Sequence, residues 1–443
     1  MPPRRAPTTA SSWTDKAWTR LRRGRCAPAA PRRGADPGLP AARTVRPAKG
    51  DDPRCGSHEP VSRSKGIQRV TRENGMTRLK TLTGLASAFV LANLLPAAAQ
   101  DGVDQARANI EAYSGIPDFE APGEPFDAKS CMAGKKIFTI PASSSIPFIK
   151  TISDHKGKLA AELGFEHMEW ENQGNPTQWI QGIEHATNNG YDLVSLLAGA
   201  DPRFFEPQVA QAQAAGVKIV TSHLTGLEQD APAGVDAAVA IDYRKAGELM
   251  ADWTIARTGG KTNALVLVSN EALSTDSIVS GLKEAFDTRC PECTYEIVNV
   301  PITDWATKIQ PTVAGALQAD AGLNYVIPIY DSMSSFVTPA IAIAGRTDQV
   351  KVATFNGTPF VLDLIRAGDV EMDIGENLDW IAHAMLDAEM RLLCGKETIR
   401  DSKVPLRVFD ADNIGEVGEP ADAAKGYGDA YVAGYRKLWQ LAE

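Results

Sequence analysis

The chain has 443 residues, with 46 basic and 55 acidic side chains and a net charge of -9. Residues 1–75 hold 17 Arg and Lys against 6 Asp and Glu, so they carry +11 and the remainder carries -9 - 11 = -20. A domain this acidic is not expected to bind the phosphate backbone of a nucleic acid.

Residues 1–75 differ in composition from the rest of the chain. They contain ten prolines and almost no apolar periodicity, so they cannot bury a core. We interpret them as a basic extension that is either disordered or not translated, with the true start at Met76. The alternative is a basic nucleic-acid-binding arm.

The residues after Met76 have the three parts of an export signal. A basic start at 76–80 precedes an apolar run at 81–95, and Ala97 and Ala99 supply small side chains just before Gln100. The apolar run is shorter than the roughly 20 residues that span a bilayer. The sequence therefore predicts a signal peptide at 76–99 and a soluble periplasmic protein beginning at Gln100, with a buried N-terminal helix as the alternative.

From Lys135 onward, short apolar runs alternate with longer stretches of helical periodicity, whereas residues 100–134 are expected to be an extension lying over the surface. The pattern predicts parallel sheets covered on both faces. The predicted strands are 136–141, 166–171, 192–198, 218–222, 237–241, 263–268, 295–300, 325–329, 351–355 and 370–374.

Helices are predicted between these strands, among them one whose start is signalled by Asn175 as a cap and Pro176 in the first turn. About 310 ordered residues and ten strands exceed one comfortable core, so we expect two doubly wound α/β lobes. The predicted helices include 146–163, 176–189, 204–215, 243–258, 276–287, 304–318 and 378–393.

Four cysteines follow residue 100, and they allow three pairings. Cys290 and Cys293 form a single CxxC pair, which could belong to a redox or zinc motif, but no second such pair is present. In an oxidising compartment we expect a structural disulfide between these two residues.

Catalytic patterns are missing from the sequence. It contains neither the G-x-S-x-G elbow nor a phosphate-binding G-x-x-x-x-G-K-[ST] loop, and its six histidines lack metal-ligand spacing. We therefore expect no enzyme, no cofactor and no metal. A sugar-responsive transcription regulator would need an N-terminal helix-turn-helix, for which residues 1–75 lack the periodicity.

Several ordered motifs carry a family resemblance across residues 135–408. They are Pro147-Phe148, Asn172-Gln173-Gly174-Asn175-Pro176, Tyr191-Asp192-Leu193-Val194, Val217-Lys218-Ile219-Val220, Ile241-Asp242-Tyr243, Asp304-Trp305, Ile329-Tyr330-Asp331, Phe355-Asn356-Gly357-Thr358-Pro359 and Ile374-Gly375-Glu376. The sequence resembles the type I periplasmic binding protein family, in its ribose-binding branch.

This resemblance implies two lobes, joined by three crossovers, that close on a small ligand and deliver it to the membrane permease of an ABC transporter. The implied N-terminal lobe comprises 135–241 and 378–406, and the C-terminal lobe with its tail comprises 242–377 and 407–443. It also implies that Cys131 pairs with Cys394, and we expect a monomer. A chemoreceptor or sensor kinase is an alternative client.

Ligands of open parallel sheets bind beyond the carboxyl ends of the strands, where most of these motifs lie. A sugar offers C–H faces to aromatic rings and hydroxyl edges to polar groups. The predicted ligand-binding residues are the rings Phe148, Trp305 and Tyr330, the polar or acidic Ser144, Asp242, Asp276, Asp331, Asn356 and Glu376, and His223 as a donor. Core packing, helix capping and turn formation are the alternative roles for these residues.

Two arginine positions of the family's pentose binders are replaced here. An Asp-Arg pair after the fourth strand becomes His223-Leu224, and the arginine at the start of a later helix becomes Ile278. Since arginine only donates, its loss predicts a pocket rich in acceptors. This argues against ribose and favours a neutral polyol or deoxy-sugar, with a cation held by Trp305 and acids as the alternative.

Overall fold

The structure is a computed structural model that describes residues 94–441, with side chains from residue 100 onward. The predicted extension at 1–75 lies outside these residues. So does the predicted signal peptide, apart from the helical backbone of 94–99.

Eleven strands in the described part of the chain form two sheets. The first sheet has the order β2-β1-β3-β4-β5 and the second has the order β11-β10-β9-β8-β6-β7. Only β10 and β11 pair antiparallel among them. The strands are β1 Lys136–Pro141, β2 Glu166–Glu169, β3 Leu193–Leu197, β4 Lys218–Gly226, β5 Ala237–Ile241, β6 Asn263–Val268, β7 Thr294–Asn299, β8 Tyr325–Pro328, β9 Lys351–Asn356, β10 Met372–Glu376 and β11 Leu406–Phe409.

Helices cover both sheets, and most of them connect one parallel strand to the next. They are α1 Leu94–Ala112, α2 Ala128–Met132, α3 Pro147–Leu163, α4 Pro176–Asn188, α5 Glu206–Ala214, α6 Tyr243–Thr258, α7 Ser274–Arg289, α8 Trp305–Ala319, α9 Ser334–Ile343, α10 Pro359–Ala367, α11 Leu378–Leu393 and α12 Ala430–Leu438. Short 3-10 turns at Pro202–Phe204, Ile302–Asp304 and Asp331–Met333 follow three of the strands.

Local sequence explains where these elements begin and how they pack. All five residues of β3 are buried, as expected for a strand covered on both faces. Asn175 accepts a hydrogen bond from the Thr177 amide, and Pro176 occupies the first turn of α4, as predicted. Asn377 caps α11 in the same way, by accepting from the Asp379 and Trp380 amides at 3.0 Å.

The chain passes between the sheets in three places. It leaves the first sheet after β5 through Asp242, which caps α6, and returns after β10 through Asn377. The third passage leads from α11 to β11, and there the Ala240 amide donates to the Arg400 carbonyl at 3.0 Å. The predicted fold of two doubly wound lobes joined by three crossovers is confirmed.

Some details differ from the sequence prediction. The edge strand β11 was not predicted, and its antiparallel pairing corrects the expectation of purely parallel sheets. Strand β4 continues to Gly226, beyond the predicted end at 222, because it keeps pairing with β5 past an irregularity in register. Helices α9 and α10, which follow β8 and β9, fit the predicted alternation of strands and helices, although no bounds were predicted for them.

Residues 94–134 are more than a loose surface extension. Helix α1 packs against α6 and α7 beside the second sheet, with Val103 and Ala106 buried. The Tyr113 carbonyl then accepts from the Val408 amide at 2.8 Å. Farther along, the Phe119 ring lies 5.8 Å from that of Trp380 on α11, which packs beside the first sheet.

The C-terminal residues also reach both sheets. Strand β11 pairs with β10 in the second sheet, whereas α12 packs against α11. The rings of Tyr431 and Trp380 are stacked at 4.7 Å between centroids. The predicted tail at 407–443 therefore divides its contacts between the two sheets within the residues described.

Both cysteine pairs considered from the sequence lie close together. The Cα atoms of Cys131, on α2, and Cys394, at the end of α11, are 5.8 Å apart. Those of Cys290 and Cys293 are 5.3 Å apart. Both separations lie within the range of disulfide-bonded residues.

Candidate ligand-binding site

A cleft of about 820 Å³ lies between loops that follow strands of the two sheets. This is where ligands of open parallel sheets bind. We call it the outer cleft. From the first sheet it is lined by Ser143, Ser145, Pro147, Gln173, Trp179 and Phe204, and from the second by Glu271, Pro301, Trp305, Ser332, Ser335 and Phe336, among others.

A smaller cavity of about 50 Å³ shares part of its wall with the outer cleft. We call it the inner chamber. Both cavities are lined by Ile146, Ala272, Ile302, Trp305 and Ser332. The structure brings five of the predicted ligand-binding residues together in its wall, namely Phe148, His223, Trp305, Tyr330 and Asn356.

Phe148 and His223 form the first-sheet side of the inner chamber. Pro147 begins α3 just after the loop that follows β1, which turns the Phe148 ring toward β4. Its ring centroid lies 4.8 Å from that of His223, and its side chain is only 4% exposed. Phe148 therefore both packs in the core and lines the chamber.

Both ring nitrogens of His223 are already hydrogen-bonded to the protein. Nε2 lies 2.9 Å and 3.0 Å from the two carboxylate oxygens of Glu376, and Nδ1 lies 2.7 Å from the Tyr243 hydroxyl. Because a carboxylate only accepts, Nε2 carries a hydrogen. Burial raises the pKa of Tyr243 well above its usual value, so this hydroxyl keeps its proton. The protein thus engages both nitrogens of His223, whose ring lines the chamber, and its role as a donor to a ligand stays a prediction.

Glu376 connects His223 to the second-sheet side of the chamber. The same carboxylate accepts a hydrogen bond from the Asn356 amide nitrogen at 3.0 Å. Glu376 is fully buried and lines neither cavity. It therefore orients His223 and Asn356 from the side that faces away from the chamber. Within the described residues no hydrogen bond reaches Asn356 Oδ1, which remains able to accept from a ligand.

Unusual backbone conformations concentrate at the inner chamber. Five residues other than glycine have positive φ in the part of the chain that is described, and three of them line this chamber: Ala198 at 58°, His223 at 56° and Asn356 at 149°. Such conformations cost free energy and persist where the surrounding structure enforces them, which is common at binding sites.

Trp305 and Tyr330 form the second-sheet wall. Their rings are stacked at 6.3 Å between centroids, and Trp305 lines both cavities. The indole N–H donates to Ser269 Oγ at 2.9 Å. The Tyr330 hydroxyl lies 2.8 Å from Ser274 Oγ and 2.9 Å from Thr275 Oγ1, and burial raises its pKa to about 12. Internal bonds fix both rings before a ligand arrives.

The remaining predicted residues line neither cavity. Ser144 donates to Glu169 at 2.9 Å, Asp242 caps α6, and Asp276 is exposed in the first turn of α7. Asp331 is fully buried and accepts from the Thr358 amide at 2.6 Å and from its hydroxyl at 2.8 Å. Asp242 and Asp331 thus accept from protein donors, and contact between these acids and a ligand stays a prediction.

Asp331 is one of a pair of buried carboxyls behind the site. Burial raises the pKa of Asp331 to about 7. The pKa of Asp373, which accepts from the Gly357 amide at 3.0 Å, is also raised, by burial and then by the neighbouring Asp331. Two carboxyls that repel each other in an apolar site favour holding a proton at neutral pH.

This pair predicts a pH-dependent stability. A carboxyl whose pKa is higher in the folded state stabilises the fold below about pH 4 and loses that contribution as the pH rises toward 7. The free energy of unfolding should therefore fall less steeply between pH 4 and 7 for Asp331→Asn than for the wild type. Chemical denaturation across this range measures it, and parallel curves would contradict the assignment.

Other lining residues were not predicted from the sequence. Trp179 follows the Asn175-Pro176 helix start, Phe204 ends a 3-10 turn after β3, and Phe336 lies on α9. For Trp179 and Phe204, a position shortly after a strand was the available signal. Glu271 is the only Asp, Glu, Lys or Arg that lines either cavity among the residues described.

Comparison with known proteins identifies the fold. The model of the periplasmic binding protein domain matches residues 137–397, more than half of the chain. This chain belongs to the periplasmic binding protein family. The ribose import binding protein of Salmonella typhimurium strain LT2 is 21% identical over 281 residues, covering 63% of this chain and 92% of that protein. Its counterpart in Escherichia coli strain K12 matches with the same identity and coverage.

Solved structures of this periplasmic binding protein fold align with about two thirds of the chain. An ABC transporter solute-binding protein from Agrobacterium vitis with bound allitol has a TM-score of 0.58 at 18% identity, covering 65% of this chain and 99% of that one. The Caulobacter myo-inositol binding protein has a TM-score of 0.57 at 18% identity, covering 66% and 97%. Among residues 94–441, no helix has the length and apolar character needed to cross a membrane.

Proposed function

We propose that this chain is an exported solute-binding protein that captures a small polyhydroxylated ligand, a sugar or sugar alcohol, between its two lobes and delivers it to an ABC import permease. The observation that carries the proposal is the inner chamber, where rings from both sheets surround the amide of Asn356. Family membership and the ligands bound by the structural neighbours support the same class.

An uncharged ligand fits this site better than a cation. The buried acids Asp331 and Glu376 face protein donors, and Glu271 at the outer cleft is the one charged lining residue described. A bound cation would leave most of its charge unpaired in this cleft, which costs free energy. A calorimetric screen of free sugars, alditols and quaternary amines tests this, and binding of the amines alone would overturn it.

Ligand binding is proposed to close the lobes. Phe148 comes from the first-sheet side of the chamber and Trp305 from the second, so one ligand in contact with both favours the closed state. X-ray scattering should show a smaller radius of gyration when the protein is saturated with its ligand. An unchanged radius would contradict lobe closure while leaving ligand capture intact.

Export is proposed from residues 76–99. Cleavage after Ala99 would leave Gln100 as the first residue of the mature protein, near the start of α1. N-terminal sequencing of protein recovered from the periplasm checks this. A mature protein that retains any of residues 1–75 would contradict both the start at Met76 and the cleavage site.

We further propose that both close cysteine pairs are disulfides in the exported protein. Their Cα separations suit this bond, and an oxidising compartment maintains it. The denatured but unreduced mature protein should therefore contain no thiol that reacts with a maleimide. Reduction before labelling should reveal four, and two reactive thiols without reduction would mean that one pair is open.

A further inference from the structure

The walls of the outer cleft are more apolar than their residue types suggest. The Trp179 indole N–H donates to the Ala142 carbonyl at 3.0 Å, just as that of Trp305 donates to Ser269. Each indole therefore exposes carbon atoms to the cleft, while its N–H group is hydrogen-bonded within the protein. A ligand that touches these rings must bury apolar surface of its own to gain from them.

Two phenylalanines extend this surface to the mouth of the cleft. Phe204, from the turn after β3, is 65% exposed, although most rings of its size are buried. Phe336, on α9, is half-buried and lines the same cavity from the second-sheet side. The two lobes thus each present a phenylalanine to the outer cleft.

Polar residues line both cavities, and those of the outer cleft include Ser143, Ser145 and Gln173. In the inner chamber, Asn356, Ser274 and Ser332 lie next to the ring surfaces of Phe148 and Trp305. These two rings already suffice for the two C–H faces of one sugar ring. A sugar ring alone would therefore not need the additional rings of Trp179, Phe204 and Phe336. These three rings line only the outer cleft.

We propose that the ligand is amphipathic: a polyhydroxylated head lies beside Trp305, where the outer cleft meets the inner chamber, and an uncharged alkyl, thioalkyl or aryl substituent lies farther out against Trp179, Phe204 and Phe336. This inference rests on the proposed function and narrows its ligand class. The charge-poor lining of the outer cleft selects against a phosphorylated or ammonium-bearing substituent, which would be left unpaired there.

The test compares free polyols with the same polyols carrying an apolar substituent. Calorimetry on the purified mature protein would use ribose against 5-methylthioribose, with free hexoses and inositols against their methyl and phenyl ethers or glycosides. The best substituted ligand should bind about tenfold or more tightly than its free counterpart, because burial of each added methyl or methylene group gives roughly fourfold.

A matched pair of variants assigns that gain to the outer cleft. Phe204→Ala should reduce the affinity ratio between the substituted and the free ligand by about fivefold or more. Ile343→Ala removes a side chain that is 76% exposed and lines neither cavity, so it should leave the ratio unchanged. A large side chain exposed to solvent can be truncated in both cases without opening a core.

Each outcome is decisive for one of the two proposals. If free polyols bind as tightly as every substituted counterpart, the amphipathic ligand is wrong while polyol capture stands. If the substituted ligand binds better but Phe204→Ala leaves the ratio intact, the assignment to the outer cleft is wrong. If no member of either set binds, the proposed function itself fails.

Discussion

Replacing Trp305 with alanine should weaken ligand binding by at least about a hundredfold, the largest effect of any substitution in the site. Its ring lines both the inner chamber and the outer cleft, and it stacks on Tyr330. Truncation would remove the contact surface and also release the Ser269 hydroxyl that receives the indole N–H. Titration calorimetry with the best ligand of the screen measures the loss.

A conservative variant separates ring contact from hydrogen bonding. Trp305→Phe keeps an aromatic face but loses the N–H, so its affinity should lie between those of the wild type and the alanine variant. The ligand-induced rise in melting temperature should follow the same order, because it depends on affinity. Undiminished binding by Trp305→Ala would remove this residue from the site.

Replacing Lys156 with methionine should destabilise the fold by about 3–5 kcal/mol, which is typical when one partner of a buried ion pair is lost. The Lys156 ammonium is fully buried on α3 and lies 2.7 Å from Glu389 on α11. It also donates to Thr139 on β1 at 3.1 Å and to Ser195 on β3 at 3.0 Å. The variant would leave the Glu389 carboxylate buried without its cation.

Two further variants make this prediction specific. The double variant Lys156→Met with Glu389→Leu should recover much of the lost stability, because it leaves no unpaired charge. Lys150→Met removes an exposed ion pair with Asp154 on the same helix and should change stability by less than about 1 kcal/mol. Urea denaturation measures all three, and equal losses for Lys150→Met and Lys156→Met would contradict the argument.

Much of the fold could be predicted because its strands are continuous apolar runs with clear boundaries. Residues such as Asn175 and Pro176 mark a helix start by local chemistry alone. Strand β11 was harder to predict, since its four residues include Arg407, which is buried only because Glu416 and backbone carbonyls receive its guanidinium. Such compensation depends on the tertiary structure.

The candidate site was predicted less completely, for a related reason. An aromatic side chain that follows a parallel strand can pack in few positions. Phe148, Trp305 and Tyr330 accordingly all line the inner chamber. A carboxylate after a strand can equally well accept from a backbone amide, as Asp242 and Asp331 do. No local sequence feature shows whether such a carboxylate binds a ligand or a backbone amide. The positive φ of His223 is likewise not indicated by its residue type.

The terminal segments set a limit on how the lobes can move. The chain from α1 to Cys131 touches the helices beside the second sheet, the edge strand β11 and then α11 beside the first sheet. It acts as a tether in addition to the three crossovers. We expect its fixed length to limit the angle through which the two lobes can open.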